Sequence, residues 1–250
     1  MSLRQGAGLS GSALKWVAIL TMFLDHLGAT VVLELYLRQP TMALYDCYYG
    51  LRTVGRVAFP IFCFLLVEGF FHTRDRKKYA LRLGLFCLLA EIPFDLAIEK
   101  TVFYPQGQNV FFTLLLGFLA IWFSWELSRR LNLHPAAATA LAAIPAVAGG
   151  ELLMTDYAGF GVGLIAALFV GRSLVREPGM GRGMAQLLLG STSILVYCVM
   201  ENNDIEHWAV LGLVLALLYN GQRGRGNKWF FYLFYPIHLL LLAVVCMAMA

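Results

Sequence analysis

The stretch that decides the fold is residues 13–35, ALKWVAILTMFLDHLGATVVLEL. It is long and apolar enough to cross a hydrocarbon core about 30 Å thick. Yet Asp25 and His26 sit inside it. Counting 1.5 Å per residue from Ala13, His26 lies roughly 20 Å into the slab. An ionisable pair at that depth is costly, needs partners, and by default marks function. The bland alternative is a structural histidine bonding across helices. Asp25 and His26 point about 100° apart on a helix, so they do not face each other. Each needs a partner on another span. Arg52 or Arg56 is expected beside Asp25, and Glu91 or Asp95 near His26.

The composition agrees with a membrane chain. Of 250 residues, 60% are hydrophobic and 14% charged. Soluble domains carry about 45–50% apolar and a quarter charged residues. The expected fold is therefore all-α: one polytopic helix bundle over residues 1–250, with no separate soluble domain. The opening span exceeds a secretory h-region of about 7–15 residues, so it is expected to stay in the mature protein.

Nine apolar runs qualify as spans, and eight to ten fit the same hydropathy. They are residues 13–35, 54–71, 80–98, 110–127, 136–149, 158–170, 184–200, 208–219 and 228–250. The loops orient them, because Lys and Arg collect on the cytoplasmic side. Fifteen of the 19 basic residues fall at the N-terminal end or in the even loops, which predicts a cytoplasmic N-terminus. The net charge of +4 is this loop asymmetry and gives no sign of nucleic acid. The five cysteines lack a C-x-x-C pair, so neither zinc nor a disulfide framework is suggested. There is no HExxH, P-loop or G-x-S-x-G, which argues against a zinc protease, an ATP-driven pump and a serine hydrolase.

Further polar residues pair at i,i+4, the spacing that shares one helix face. Arg52 and Arg56 do so, as do Glu91 and Asp95, and Asn109 and Thr113. Such faces avoid lipid and are expected to line one polar cavity. His238 lies ten residues into the last span, at a depth near that of His26. Glu68 ends the second span, and pairing with Arg74 or Lys77 is one role open to it. The run HTRDRKKYALR, residues 72–82, is either an ordinary positive-inside loop or a clamp for a polyphosphate headgroup, since Arg and Lys are natural phosphate binders. Pro60 and Pro93 are expected to kink their spans.

Five segments, WVAILTMFLDHLGA, LRTVGRVAFPIFCFLLVEGFFHTR, LLAEIPFDLA, NVFFTLLLG and YPIHLLLL, in this order, closely resemble the TraX family over nearly the whole chain. That family is grouped with transmembrane acyltransferases such as the acyltransferase-3 proteins and heparan glucosaminide N-acetyltransferase. The resemblance implies an acyl-CoA-dependent acetyltransferase in the inner membrane of a bacterium, with acetyl-CoA as co-substrate and His26 as general base. The acceptor is an amine or hydroxyl on a peptide N-terminus, glycan, lipid or small molecule. On this reading Arg74, Lys77, Lys78 and Arg82, with Glu68 and His72 nearby, hold the donor from the cytosol. Asp25, Glu91 and Asp95 join His26 as candidates for the chemistry, Glu91 or Asp95 orienting the imidazole. His238 or an arginine stabilises the oxyanion, and Arg52, Arg56, Asn109 and Thr113 face the acceptor. The alternative is a proton-coupled transporter using Asp25, His26, Glu91 and His238 as a relay.

Overall fold

A computed structural model describes residues 8–175 and 177–249, with only the backbone for Lys228. Arg4 and Arg176, two of the basic residues used to orient the chain, lie outside the described residues. Among the described residues the fold is all-helical, with two isolated bridges and no strand.

The helices are α1 (Gly11–Arg38), α2 (Met42–Gly55), α3 (Ala58–His72), α4 (Arg76–Phe94), α5 (Val110–Leu131), α6 (Pro135–Leu152), α7 (Ala158–Leu174), α8 (Met180–Glu201), α9 (Val210–Ala216) and α10 (Lys228–Met249). Each of the nine apolar runs falls on a helix. Helices α2 and α3 follow each other through a single turn and together form one 31-residue apolar stretch. Six stretches are long and apolar enough to cross a membrane, and α7 and the segment Glu206–Ala216 are shorter apolar helices. The helices therefore form an integral-membrane bundle.

At the centre stands α3. Ala58, Phe59, Ile61, Cys63, Phe64, Leu66, Val67 and Phe70 are all buried on it. It packs against α1, α5, α7 and α9. In lipid no water is released when apolar helices meet, so the contact rests on van der Waals fit. Phe70 supplies much of that fit, meeting Phe118 and Phe169 edge to face at 5.7 Å each. Such aromatic pairs contribute about 0.5–1.5 kcal/mol beyond area. The lipid side is taken by exposed apolar residues such as Leu188 and Val199 on α8 and Leu241 and Met247 on α10.

Two expected kinks resolve differently. Pro60 is the third residue of α3, where its missing N–H costs no intrahelical bond. Pro93 does lie inside α4, and a π-helical turn, Asp95–Glu99, follows directly. A second π turn, Gly28–Val32, begins two residues after His26. There Thr30 Oγ1 donates to the His26 carbonyl at 2.6 Å. Wide turns of this kind often accompany functional sites.

Candidate functional site

Adjacent on α1, Asp25 and His26 diverge as the helix dictates and meet different walls. Asp25 faces the α2–α3 junction. Its Oδ2 accepts from Arg52 Nη1 at 2.5 Å and its Oδ1 from Arg56 Nη2 at 2.6 Å. Arg56 reaches on to Glu206 Oε2 at 3.1 Å, on the short turn before α9. Two carboxylates and two guanidiniums thus form one neutral cluster, and Asp25, Arg56 and Glu206 in it are buried. The approach needs Gly55, because a methyl group there would overlap Asp25 Cβ and Oδ1.

His26 faces α10 instead. Its Nδ1 lies 2.6 Å from His238 Nε2, and His238 Nδ1 lies 2.7 Å from the Phe234 carbonyl. The rings are 15° from coplanar with centroids 4.9 Å apart, so they meet edge to edge. Tyr235 closes on His26 edge to face at 5.8 Å.

This corrects the expectation that Glu91 or Asp95 orients His26. Helix α4 packs against α5 and α10, and its polar face turns to the start of α5. Glu91 accepts from Asn109 Nδ2 at 2.5 Å, and Asp95 Oδ2 accepts from the Tyr104 amide at 2.8 Å. Asn109 also caps α5 by accepting from the Phe111 amide. Thr113 Oγ1 accepts from the Tyr157 amide at 3.4 Å. The i,i+4 spacing placed these groups on common faces, but those faces hold helix ends together. His238 has both ring nitrogens engaged and leaves no N–H for an oxyanion.

Asp25 and His26 line a cavity of about 680 Å³. Its wall carries Arg52, Arg56, Asp156, Tyr157, Asn203 and Glu206 toward one end, and Lys15, Glu68, His72, Thr73, Arg82 and Arg223 toward the other. Between them the lining is apolar, with Phe59, Phe62, Leu66, Phe111 and Leu114. Glu91, Asp95, Asn109, Thr113 and His238 are absent from that lining.

The basic run is divided by the fold. Arg82 lines the cavity, while Arg74, Lys77 and Lys78 are exposed and outside it. Asp75 turns the run into a helix start by accepting from the Lys78 amide at 2.9 Å, which holds its carboxyl below the usual range. Glu68 pairs with Arg172 of α7 at 2.8 Å, and neither Arg74 nor Lys77 pairs with it. His72 Nδ1 meets the Glu68 carbonyl at 2.7 Å. Lys15, Arg223, Glu206 and Asp156 were not singled out from the sequence as site residues. Here Lys15, Arg82 and Arg223 line one mouth with no ion pair to an acid among the described residues. Asp156, at the other mouth, is open to the cavity but ringed by protein. The loss of bulk water pushes its carboxyl up to about 6, against the pull of Arg56.

The family description "TraX protein" matches residues 10–246. The probable fimbrial assembly protein FimC, serogroup H1, of Dichelobacter nodosus is 33% identical, over 93% of this chain and 94% of that protein. No solved structure matches the chain. With a match from one end of the helix bundle to the other, this chain belongs to the TraX family.

Proposed function

We propose that the protein is a membrane-embedded acyltransferase of a bacterial inner membrane, moving an acetyl or other acyl group from cytosolic acyl-CoA to an amine or hydroxyl that enters from the outer side. One observation carries this reading. A buried histidine borders a cavity with cations at one mouth that pair with no acid among the described residues, and a carboxylate–guanidinium cluster at the other. Lys15, Arg82 and Arg223 have the charge to hold the donor's phosphates. The apolar middle excludes water from the thioester, which limits hydrolysis. His26 takes the acceptor's proton as the acceptor attacks the thioester carbonyl, and the thiol of coenzyme A leaves. Arg52 and Arg56, held by Asp25, are the nearest charged donors to the developing oxyanion. The inferred orientation puts the Lys15–Arg223 mouth in the cytosol, with nine crossings and the C-terminus outside. The relative's description as a fimbrial assembly protein makes a subunit of a surface fibre one acceptor to try, beside glycans, lipids and small amines.

The test uses purified protein in lipid vesicles with acetyl-CoA and a panel of amine and hydroxyl acceptors, including bacterial envelope extract. Thiol release and acetyl-CoA binding are followed together. Wild type is expected to bind and release thiol with an acceptor present, and His26→Ala to bind without turnover. Full turnover by His26→Ala removes the base from the mechanism. Solute flux without any donor would favour the proton-coupled carrier.

A further inference from the structure

The order of hydrogen bonds from α10 to α1 has one consequence for His26. A carbonyl oxygen only accepts, so His238 Nδ1, 2.7 Å from the Phe234 carbonyl, must carry a proton. In neutral His238 the other nitrogen, Nε2, then has none and can only accept. It lies 2.6 Å from His26 Nδ1, which must therefore donate. That leaves neutral His26 with its lone pair on Nε2. Among the described residues nothing hydrogen-bonds this nitrogen, and it is not sealed from solvent, so it is accessible on a residue that lines the cavity.

We infer that His238 is a positioning residue: through its hydrogen bond to His26 Nδ1 it holds the His26 imidazole in the Nδ1–H tautomer, with the bare Nε2 presented to the cavity. The catalytic meaning rests on the acyl-transfer reading, whereas the tautomer itself does not. Buried metal-ligating and catalytic histidines are usually oriented by a carboxylate or carbonyl behind the ring. Here a second neutral imidazole stands in that place, itself anchored to backbone. Among the described residues no carboxylate contacts either ring: Asp25 is engaged by two arginines, Glu91 by Asn109, and Asp95 by the Tyr104 amide. The device suits a low-dielectric interior, because it fixes a tautomer without burying a further charge. The edge-to-edge ring geometry is that of an in-plane hydrogen bond, and Phe234 and Phe23 pack on His238 at 4.8 and 6.1 Å to hold it there.

Solid-state NMR on full-length protein in lipid vesicles, with nitrogen-15-labelled histidine, reads the tautomers directly. His26 signals are assigned by their loss in His26→Gln. In wild type, His26 is expected to be protonated at Nδ1 and bare at Nε2, with coupling across the bond to His238 Nε2. His238→Gln supplies an amide oxygen at the same place and should keep that tautomer. His238→Phe should release His26 toward the Nε2–H form. In the thiol-release assay, His238→Phe should lose about 10²–10⁴-fold and His238→Gln stay within about tenfold, the scale of a wrong histidine tautomer in a serine-protease triad. A proton on His26 Nε2 in the wild type overturns the assignment, and that spectrum does not depend on any variant folding. Wild type with the expected tautomers but no thiol release supports the assignment and overturns the acyl-transfer reading.

Discussion

Replacing Arg56 with Met tests the charged cluster behind the site most directly. Arg56 joins Asp25 at 2.6 Å to Glu206 at 3.1 Å. Asp25 would keep Arg52 at 2.5 Å. Glu206, only 2% exposed, would lose its ion partner, and its Oε1 has no hydrogen bond to begin with. Removing one member of a buried pair costs about 3–5 kcal/mol, because the other charge stays buried and bare. For a chain of this size that lowers Tm by roughly 6–20 °C. Arg56→Met with Glu206→Gln removes the orphaned charge and should recover part of the loss. A double-mutant cycle, read by tryptophan fluorescence during unfolding in mixed detergent micelles, should give a coupling of at least about 1.5 kcal/mol. A coupling below about 0.5 kcal/mol, with Arg56→Met unfolding like wild type, would refute the claim that this contact holds the α1, α2–α3 and α9 walls together.

Other perturbations probe the two mouths and the close approach. Gly55→Ala forces a methyl group into Asp25 and should cost about 1–3 kcal/mol in the same unfolding measurement. Asp156 keeps its proton in the folded protein up to about pH 6, against an ordinary value of 3.8. Its contribution to stability is therefore full below pH 3.8 and lost as pH rises through 6. Asp156→Asn should match wild type near pH 4 and melt higher than wild type at pH 7, as followed by thermal scans across that range. Lys15→Gln combined with Arg223→Gln should weaken acetyl-CoA binding by about tenfold or more at low salt and flatten its salt dependence, measured by calorimetry. Turnover at saturating donor should change little, since Lys15 stands eleven residues, roughly 16 Å, along α1 from His26 and Arg223 lines the same end of the cavity.

The family resemblance and every helix but α2 were legible because both depend on local order. Hydropathy marks what must leave water, and i,i+4 spacing marks which polar groups share a face. The pairing of Asp25 with Arg52 and Arg56 was legible for a related reason. Arg52 and Arg56, one turn apart at the start of the next apolar run, put two cations on one helix face, where a buried acid on the first span could meet them. The 100° divergence of Asp25 and His26 also followed from helix geometry alone.

What faced His26 did not follow. Helical period fixes the direction of a side chain from its own axis, but not which helix stands in that direction. Lipid is as apolar as leucine, so hydropathy cannot separate a lipid-facing stripe from a packed one, and it could not choose between α4 and α10 as the wall facing His26. Only the tertiary fold brought His238 to His26 across 212 positions, Glu206 to Arg56 across 150, and Lys15 to the same mouth as Arg82 and Arg223. Sequence determined the helices, the family and the charges that had to be partnered, because those are set by each residue's own solvation and its neighbours one turn away. The partners themselves were decided by how the helices pack around α3, which is a property of the tertiary fold and has no local signature.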